Sequence, residues 1–335
     1  MTINVTEEKL AVDEYDVDFE RVEELKAQST KEKYSHEISW KTLVYYTVVH
    51  IAGLVGFYHA IYTAKWLTLA WCIVCWWLSV VGIMAGAHRC WSHNAYKVNT
   101  PLKLIILAMN CMAYQLDVIR WARQHRCHHK WLDTDADPHN VARGFWFAHI
   151  GWTVLKPHPK LKEMGAKLDI SDLTSDRWLM FQKRHFTILC LIFCYLVPTI
   201  VPVFLWKETP FVALLTAGFF RYCVALHCTY CINSVSHTFG YRPYNASISP
   251  TDADWMNAIS LGEASHNYHH VFPQDYRSPE LVIFNSLVLF INFFALFGWA
   301  YDLKTMSKEC VMRQLAKQSK VNDATEPSKQ KGKAA

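Results

Sequence analysis

Nine of the seventeen histidines stand in short, repeated spacings: His88 and His93; His125, His128 and His129; His237 alone; and His266, His269 and His270. Neutral imidazole is the commonest protein ligand for borderline transition metals, and nine such ligands are too many for one ion. Two metals sharing a site is the economical reading. On a helix of 3.6 residues per turn, positions i, i+3 and i+4 share a face, so each His-x-x-His-His cluster can aim its rings the same way. His88 and His93 would instead point about 140° apart on a regular helix. Either the helix loosens there or the two rings serve different metals. Isolated histidines such as His50, His59 and His185 read as ordinary core or surface residues.

Imidazole-rich, carboxylate-poor ligation at a reducing, oxygen-accessible face suits iron that activates O2, although zinc fits the ligands alone. Splitting an unactivated C–H bond is a step side chains do not manage unaided, so the metal must carry it, on an apolar substrate entering from a bilayer. The run Asp133-Thr-Asp135-Ala-Asp137-Pro-His139 follows the second cluster at once and reads as a turn supporting those histidines through hydrogen bonds. Cys72-x2-Cys75 and Cys228-x2-Cys231 lie in apolar stretches, where cysteine acts as a small hydrophobe. No disulfide framework, nucleotide fingerprint, phosphate loop or serine elbow appears, so reducing equivalents must come from another protein.

The surroundings are those of an integral membrane protein: 52% of the chain is apolar, and charge gathers at the two ends. Lys41 to Ala64, Trp66 to Ala87 and Phe186 to Trp206 each hold an uncharged run long enough to cross a hydrocarbon core of about 30 Å, and so does the apolar stretch Phe211 to Ile232, although it carries Arg221 and His227, polar residues of a kind that face a bundle interior or a cavity. Pro101 to Leu116 is short and polar, and a crossing there would separate His88 and His93 from the second cluster, so it reads as re-entrant or interfacial. Leu281 to Ala300 is long enough to span and is left open. With four crossings all nine histidines share one face, which the positive-inside rule makes cytosolic together with both termini. The absence of a cleavage pattern argues against a secretory signal peptide. The sequons at Asn4 and Asn245 should then stay bare. A net charge of +5 without a basic, aromatic-laced stripe suggests no nucleic-acid partner.

The words HRCWSH (His88 to His93), HRCHHKWLDTDADPHN (His125 to Asn140), NSVSH (Asn233 to His237) and LGEASHNYHHVFPQDYR (Leu261 to Arg277) resemble those of the membrane-bound acyl-CoA desaturases, the stearoyl-CoA desaturase type. The resemblance runs from about Ser39 to Trp299. Short-spaced boxes are shared with membrane hydroxylases, but DTDADPHN and HNYHH are desaturase words, and GWTVLKPHP resembles the insect branch, including moth pheromone-gland enzymes.

The resemblance implies an all-α membrane protein of four transmembrane helices with a cytosolic helical cap. It implies a membrane desaturase domain over 39–300, in the endoplasmic reticulum; the tails over 1–38 and 301–335 read as cytosolic from the four crossings, and the second, lysine-rich, polar and proline-poor from Lys304 on, reads as disordered from its composition. Two iron ions would be held by His88, His93, His125, His128, His129, His237, His266, His269 and His270, with Asn233 acting through water. The implied reaction takes two hydrogens from adjacent methylenes of a fatty acyl-CoA, using O2 and electrons from cytochrome b5 and its NADH-dependent reductase. The acyl tunnel would bend at Gln115, Trp121 and Thr229 and end at Trp76 and Val80, with Arg123 and Lys156 meeting the coenzyme A headgroup. The chain departs from the pattern at Gln124, Pro157, Tyr230, Ala264, Ser265 and Gln274, none of them a ligand. A lipid hydroxylase and a histidine-rich metal transporter are the rival readings; a transporter should distribute its ligands near the bilayer midplane.

Overall fold

The computed structural model describes residues 5–7, 17–29, 34–278 and 285–325. Among the described residues, four helices are long and apolar enough to cross a membrane: Trp40–Tyr62, Trp66–Ser92, Arg177–Trp206 and Pro210–His237. They are called spans 1 to 4. At a rise of about 1.5 Å per residue the shortest reaches roughly 35 Å, enough for the hydrocarbon core. Span 1 leaves Val48, Ile51, Leu54, Val55 and Tyr58 exposed, a face suited to lipid and not to water.

Between spans 2 and 3 the chain forms Thr100–Ala113 and Val118–Lys130, bent by 78°. Asn99 caps the first helix with Pro101 in its first turn, Tyr114 and Leu116 turn the chain through positive φ, and Asp117 caps the second. The pair does not cross. His93, before it, and His125, after it, bring their Nε2 atoms to 2.8 Å, so the chain enters and leaves on one side, as the re-entrant reading requires. Gly82 lets this hairpin touch span 2: a Cβ there would lie 2.3 Å from the carbonyl carbon of Met109.

Arg221 pins the hairpin from span 4. Its guanidinium is buried and donates to the carbonyls of Ala217, Met112 and Cys194 and to Ser79 Oγ, at 2.5–3.0 Å. One side chain thereby ties three spans to the hairpin, and carbonyl dipoles stand in for a counter-ion.

The open question at Leu281 to Ala300 resolves against a crossing. Residues 281–284 lie outside the described residues, and the helix that follows, Ser286–Leu296, is about 16 Å long. Beyond it Ala300–Tyr301 pairs antiparallel with Lys97–Val98, just after His93, which returns the chain to the histidine side.

Described residues in both tails are ordered. The segment over 301–335, expected to be disordered, holds strand Leu303–Thr305, paired in parallel with Val5–Glu7, and helix Lys308–Thr325. That helix packs Cys310, Val311 and Leu315 on a cluster of Tyr244, Tyr268, Phe272 and Met306, so apolar burial orders it despite a polar composition. At the other end, helix Phe19–Ser29 seats Leu25 on Cys127 and Trp131, and Ile38 bridges to Leu155. The candidate glycosylation site Asn4 falls outside the described residues. Asn245 lies on the histidine side, its carbonyl accepting from the side chain of Asn267. Among the described residues every cysteine is a free thiol.

Candidate metal centre

The second span loosens where the first histidine pair stands. From Gly82 to Ser92 it is π-helical, and the His93 amide donates to the His88 carbonyl at 3.2 Å, an i+5 closure. Insertion of one extra residue per turn rotates i+5 back over i. Both rings therefore reach the same site, the first of the two alternatives left open by their spacing.

The nine histidines form two sets, His88, His93, His125, His129 and His269, and His128, His237, His266 and His270. Within each set the ligand nitrogens all lie within 4.8 Å of one another. Each His-x-x-His-His cluster divides: His125 and His129, one turn apart, join the first set and His128 the second, whereas His266 and His270 join the second and His269 the first. Rings at i+3 and i+4 lean about 100° apart around the helix axis, enough to serve neighbouring ions.

The nitrogens converge as metal ligands would. Nε2 of His269 lies 2.9 Å from that of His88 and 3.1 Å from that of His129, and Nε2 of His266 lies 3.0 Å from that of His237 and 3.2 Å from that of His270. One proton cannot satisfy a nitrogen with two such neighbours; a shared cation satisfies all three. Adjacent ligands at right angles around an ion, with metal–nitrogen bonds of about 2.1 Å, stand about 3.0 Å apart, which matches. Burial and then the neighbouring imidazoles push His93, His125, His129, His269 and His270 well below the ordinary imidazole range, and His266 to about 3. Those six rings are neutral, the form that ligates.

Carboxylates set the rings from behind. Asp137 meets His128 Nδ1 at 2.9 Å, the support expected of the Asp133 to His139 turn, and Ser249 Oγ meets His237 Nδ1 at 3.0 Å. Glu263 is fully buried, accepts a hydrogen bond from Arg89 Nε at 2.9 Å, forms an ion pair with the same guanidinium at 2.6 Å, and stands 3.5 Å from His88 Nδ1. Burial opposes its ionisation, yet Arg89 and His88 hold its carboxyl down to about 2. Arg89 and Glu263 went unnoticed in the sequence, although each is a charge set inside an otherwise neutral part of a histidine motif.

A cavity of about 560 Å³ opens beside both sets, touching His88, His125, His128 and His266. Gln115, Trp121, Thr229 and Asn233 line it; Trp121 stacks on His125 at 4.9 Å, and Gln115 Nε2 donates to Thr229 Oγ1 at 3.0 Å. Three expected residues do not line it. Trp76 and Val80 are packed below it in the core, where the Trp76 indole donates to Cys228 Sγ at 3.4 Å. Arg123 turns away and donates to the Gly165 carbonyl at 2.9 Å. The cavity face of that helix is Arg120, Trp121, Gln124, His125 and His128. Arg120 lies one turn before Gln124 on that face. Lys156 lines the rim, paired with Glu37 at 2.6 Å, and Pro157 and Tyr230 line the wall.

Residues 64–282 match the family model described as fatty acid desaturase. A Delta(9)-fatty-acid desaturase of Caenorhabditis elegans, fat-7, is 45% identical over 316 residues, 94% of this chain and 92% of the relative. The stearoyl-CoA desaturase of Homo sapiens is 42% identical over 280 residues, 83% of this chain and 78% of its own. The (11Z)-hexadec-11-enoyl-CoA conjugase of Bombyx mori is 41% identical over 315 residues, 93% and 94% of the two chains. Identity therefore does not single out the insect branch.

Proposed function

The chain belongs to the fatty acid desaturase family, and from that premise we propose that it is an oxidoreductase placing a double bond in a fatty acyl-CoA. The observation that carries this reading is the opening of one cavity onto both histidine sets. Two iron ions, one per set, would supply the O2 chemistry that breaks the two C–H bonds. Asn233, on the cavity wall beside His128 and His266, is the tenth candidate ligand, acting through water.

The chain's own residues do the rest. Burial keeps His93, His125, His129, His266, His269 and His270 neutral, Asp137 and Ser249 fix the orientation of His128 and His237, and Glu263 stands behind His88. The aliphatic chain lies along the cavity wall that the Gln115–Thr229 bond joins from hairpin tip to span 4, with Trp121 stacked on ligand His125 and bulk water kept from the reacting carbons. At the cavity, Lys41 offers positive charge to a coenzyme A headgroup, and Arg120, Arg143 and Lys156 would join it by exchanging their partners Asp117, Asp135 and Glu37 for phosphate. The same reading puts the protein in the endoplasmic-reticulum membrane with the site facing the cytosol, reduced by cytochrome b5 and its NADH-dependent reductase.

Expression in desaturase-deficient yeast, with double-bond mapping of the lipids and metal analysis of the purified protein, tests the proposal. It expects an alkene product and two iron ions per chain. An alcohol at the same carbon would favour the hydroxylase, and neither product with zinc bound would refute the reading.

A further inference from the structure

Resting on the desaturase reading, we propose that the basic face of the last helix, Lys308–Thr325, is where an acidic one-electron carrier docks, and that electrons enter through the helix behind it, His266–Val271. Arg313, Lys317 and Lys320 stand at i, i+4 and i+7, one face of a helix, and all three are exposed. Over residues 308–322 the one acid is Glu309, against four bases. The inward face of the same helix packs Val311 and Leu315 on Tyr244, Tyr268 and Phe272. Those three rings stand 4.9–6.0 Å apart, centre to centre. Tyr268 is the chain neighbour of His269, so a packed path joins the basic face to the ligands. The ligand helix gives His269 to one histidine set and His266 and His270 to the other, so a carrier at this one place serves both.

Two observations fix the occupant. No residue of the last helix lines the cavity, so the carrier and the acyl-CoA can be bound at once. The tail helix that backs the second histidine cluster, Phe19–Ser29, has the opposite charge. It seats Leu25 on Cys127 and Trp131 and exposes Glu20, Glu23 and Glu24, while Arg21 and Lys26 pair with Glu24 and Glu23. An acid-faced carrier is attracted by the last helix and repelled by the first. Each turnover takes two such visits. Each carrier passes one electron as its haem goes from ferrous to ferric; the two electrons, two solvent protons and the two hydrogens of the substrate together reduce O2 to two waters.

The test uses the purified full chain, loaded with iron, and the acidic soluble haem domain of a cytochrome b5, reduced beforehand. Binding of the haem domain is measured directly, and electron transfer is followed by haem reoxidation with acyl-CoA and O2 present. Both are measured as salt shortens the Debye length from about 30 Å to about 3 Å. Arg313→Glu/Lys317→Glu/Lys320→Glu is expected to lower affinity and bimolecular rate about tenfold or more at low salt, the gap closing at high salt. Lys317→Glu alone should show a smaller loss of the same sign, which keeps the test open if the triple variant folds poorly. Glu20→Lys/Glu23→Lys/Glu24→Lys should leave both quantities at or above wild type. Iron content and reduction by dithionite, which needs no docking, should be alike in every variant. Wild-type binding and rate in the Arg313, Lys317 and Lys320 variants, or a larger loss in the Glu20, Glu23 and Glu24 variant, overturns the proposal. So does a loss seen only in nanodiscs containing phosphatidylserine, which would put the basic face on the membrane surface. Wild-type protein that binds the haem domain through this face but makes no double bond refutes the desaturase reading alone.

Discussion

Asp137 and Glu263 act on the metal centre without being ligands, and they differ in what their loss should do. Asp137→Asn keeps the shape but weakens the bond that orients His128; a loss of roughly 10–100-fold in metal affinity is expected, checked by iron titration of the purified variant. Asp133→Asn should change it little, since Asp133 touches no ligand among its described contacts. Glu263→Gln leaves Arg89 as an unpaired buried cation, a destabilisation of about 3–5 kcal/mol, read as a fall in melting temperature. The pH dependence has a definite sign. A carboxyl held at about 2, below its usual 4.5, contributes stability that is complete above 4.5 and is lost as pH falls through 2. Melting curves between pH 5 and 8 should therefore show no Glu263-dependent step. The nine histidines were legible because their spacing is local, whereas the Arg89–Glu263 pair joins residues 174 apart, which no window along the chain reveals. Likeness of words carries over a residue's position but not the side on which its side chain lies, and Trp76, Val80 and Arg123 stand outside the cavity lining.

Among the elements, the six-residue helix His266–Val271 carries three ligands and is too short to hold itself. Helix Lys308–Thr325 supports it from behind, through Tyr244, Tyr268 and Phe272 and through Gln314 donating to the Tyr244 carbonyl at 2.7 Å. A chain ended after Ser307 should lose metal chiefly from the His128, His237, His266 and His270 set and should melt at lower temperature; full iron content in the truncated protein would contradict this. Gly82→Val should separate the hairpin from span 2 and abolish activity even though every ligand remains. Sequence reading found the four spans and the re-entrant hairpin because uninterrupted apolarity and the need to gather the ligands on one side are both visible in the chain. It missed the last helix by weighing overall polarity above the apolar spacing of Cys310, Val311 and Leu315. The π-helical turn was legible only as a conflict, two histidines whose separation did not suit a regular helix.

For the whole molecule, the arrangement of the spans makes its own prediction. Acceptor sites engineered into the turn at Lys65 or beside Thr209 should be glycosylated in microsomes, and Asn245 should not, because the two turns lie at the end of the spans away from the histidines. Sugar on Asn245 would invert or break the four-span model. The peg that holds this arrangement, Arg221, is made 109 residues after the Met112 carbonyl it grips. At a synthesis rate of about 5–20 residues per second, the hairpin waits roughly 5–20 s on the ribosome-bound chain before its anchor is translated, and longer still before His270 completes the ligand set. During that interval the nascent protein carries half-built polar sites at the membrane surface. A cell's quality control has that window in which to judge the chain, so an Arg221→Met variant should be seen first as rapid turnover of newly made protein in a pulse-chase experiment, before any catalytic defect can be measured.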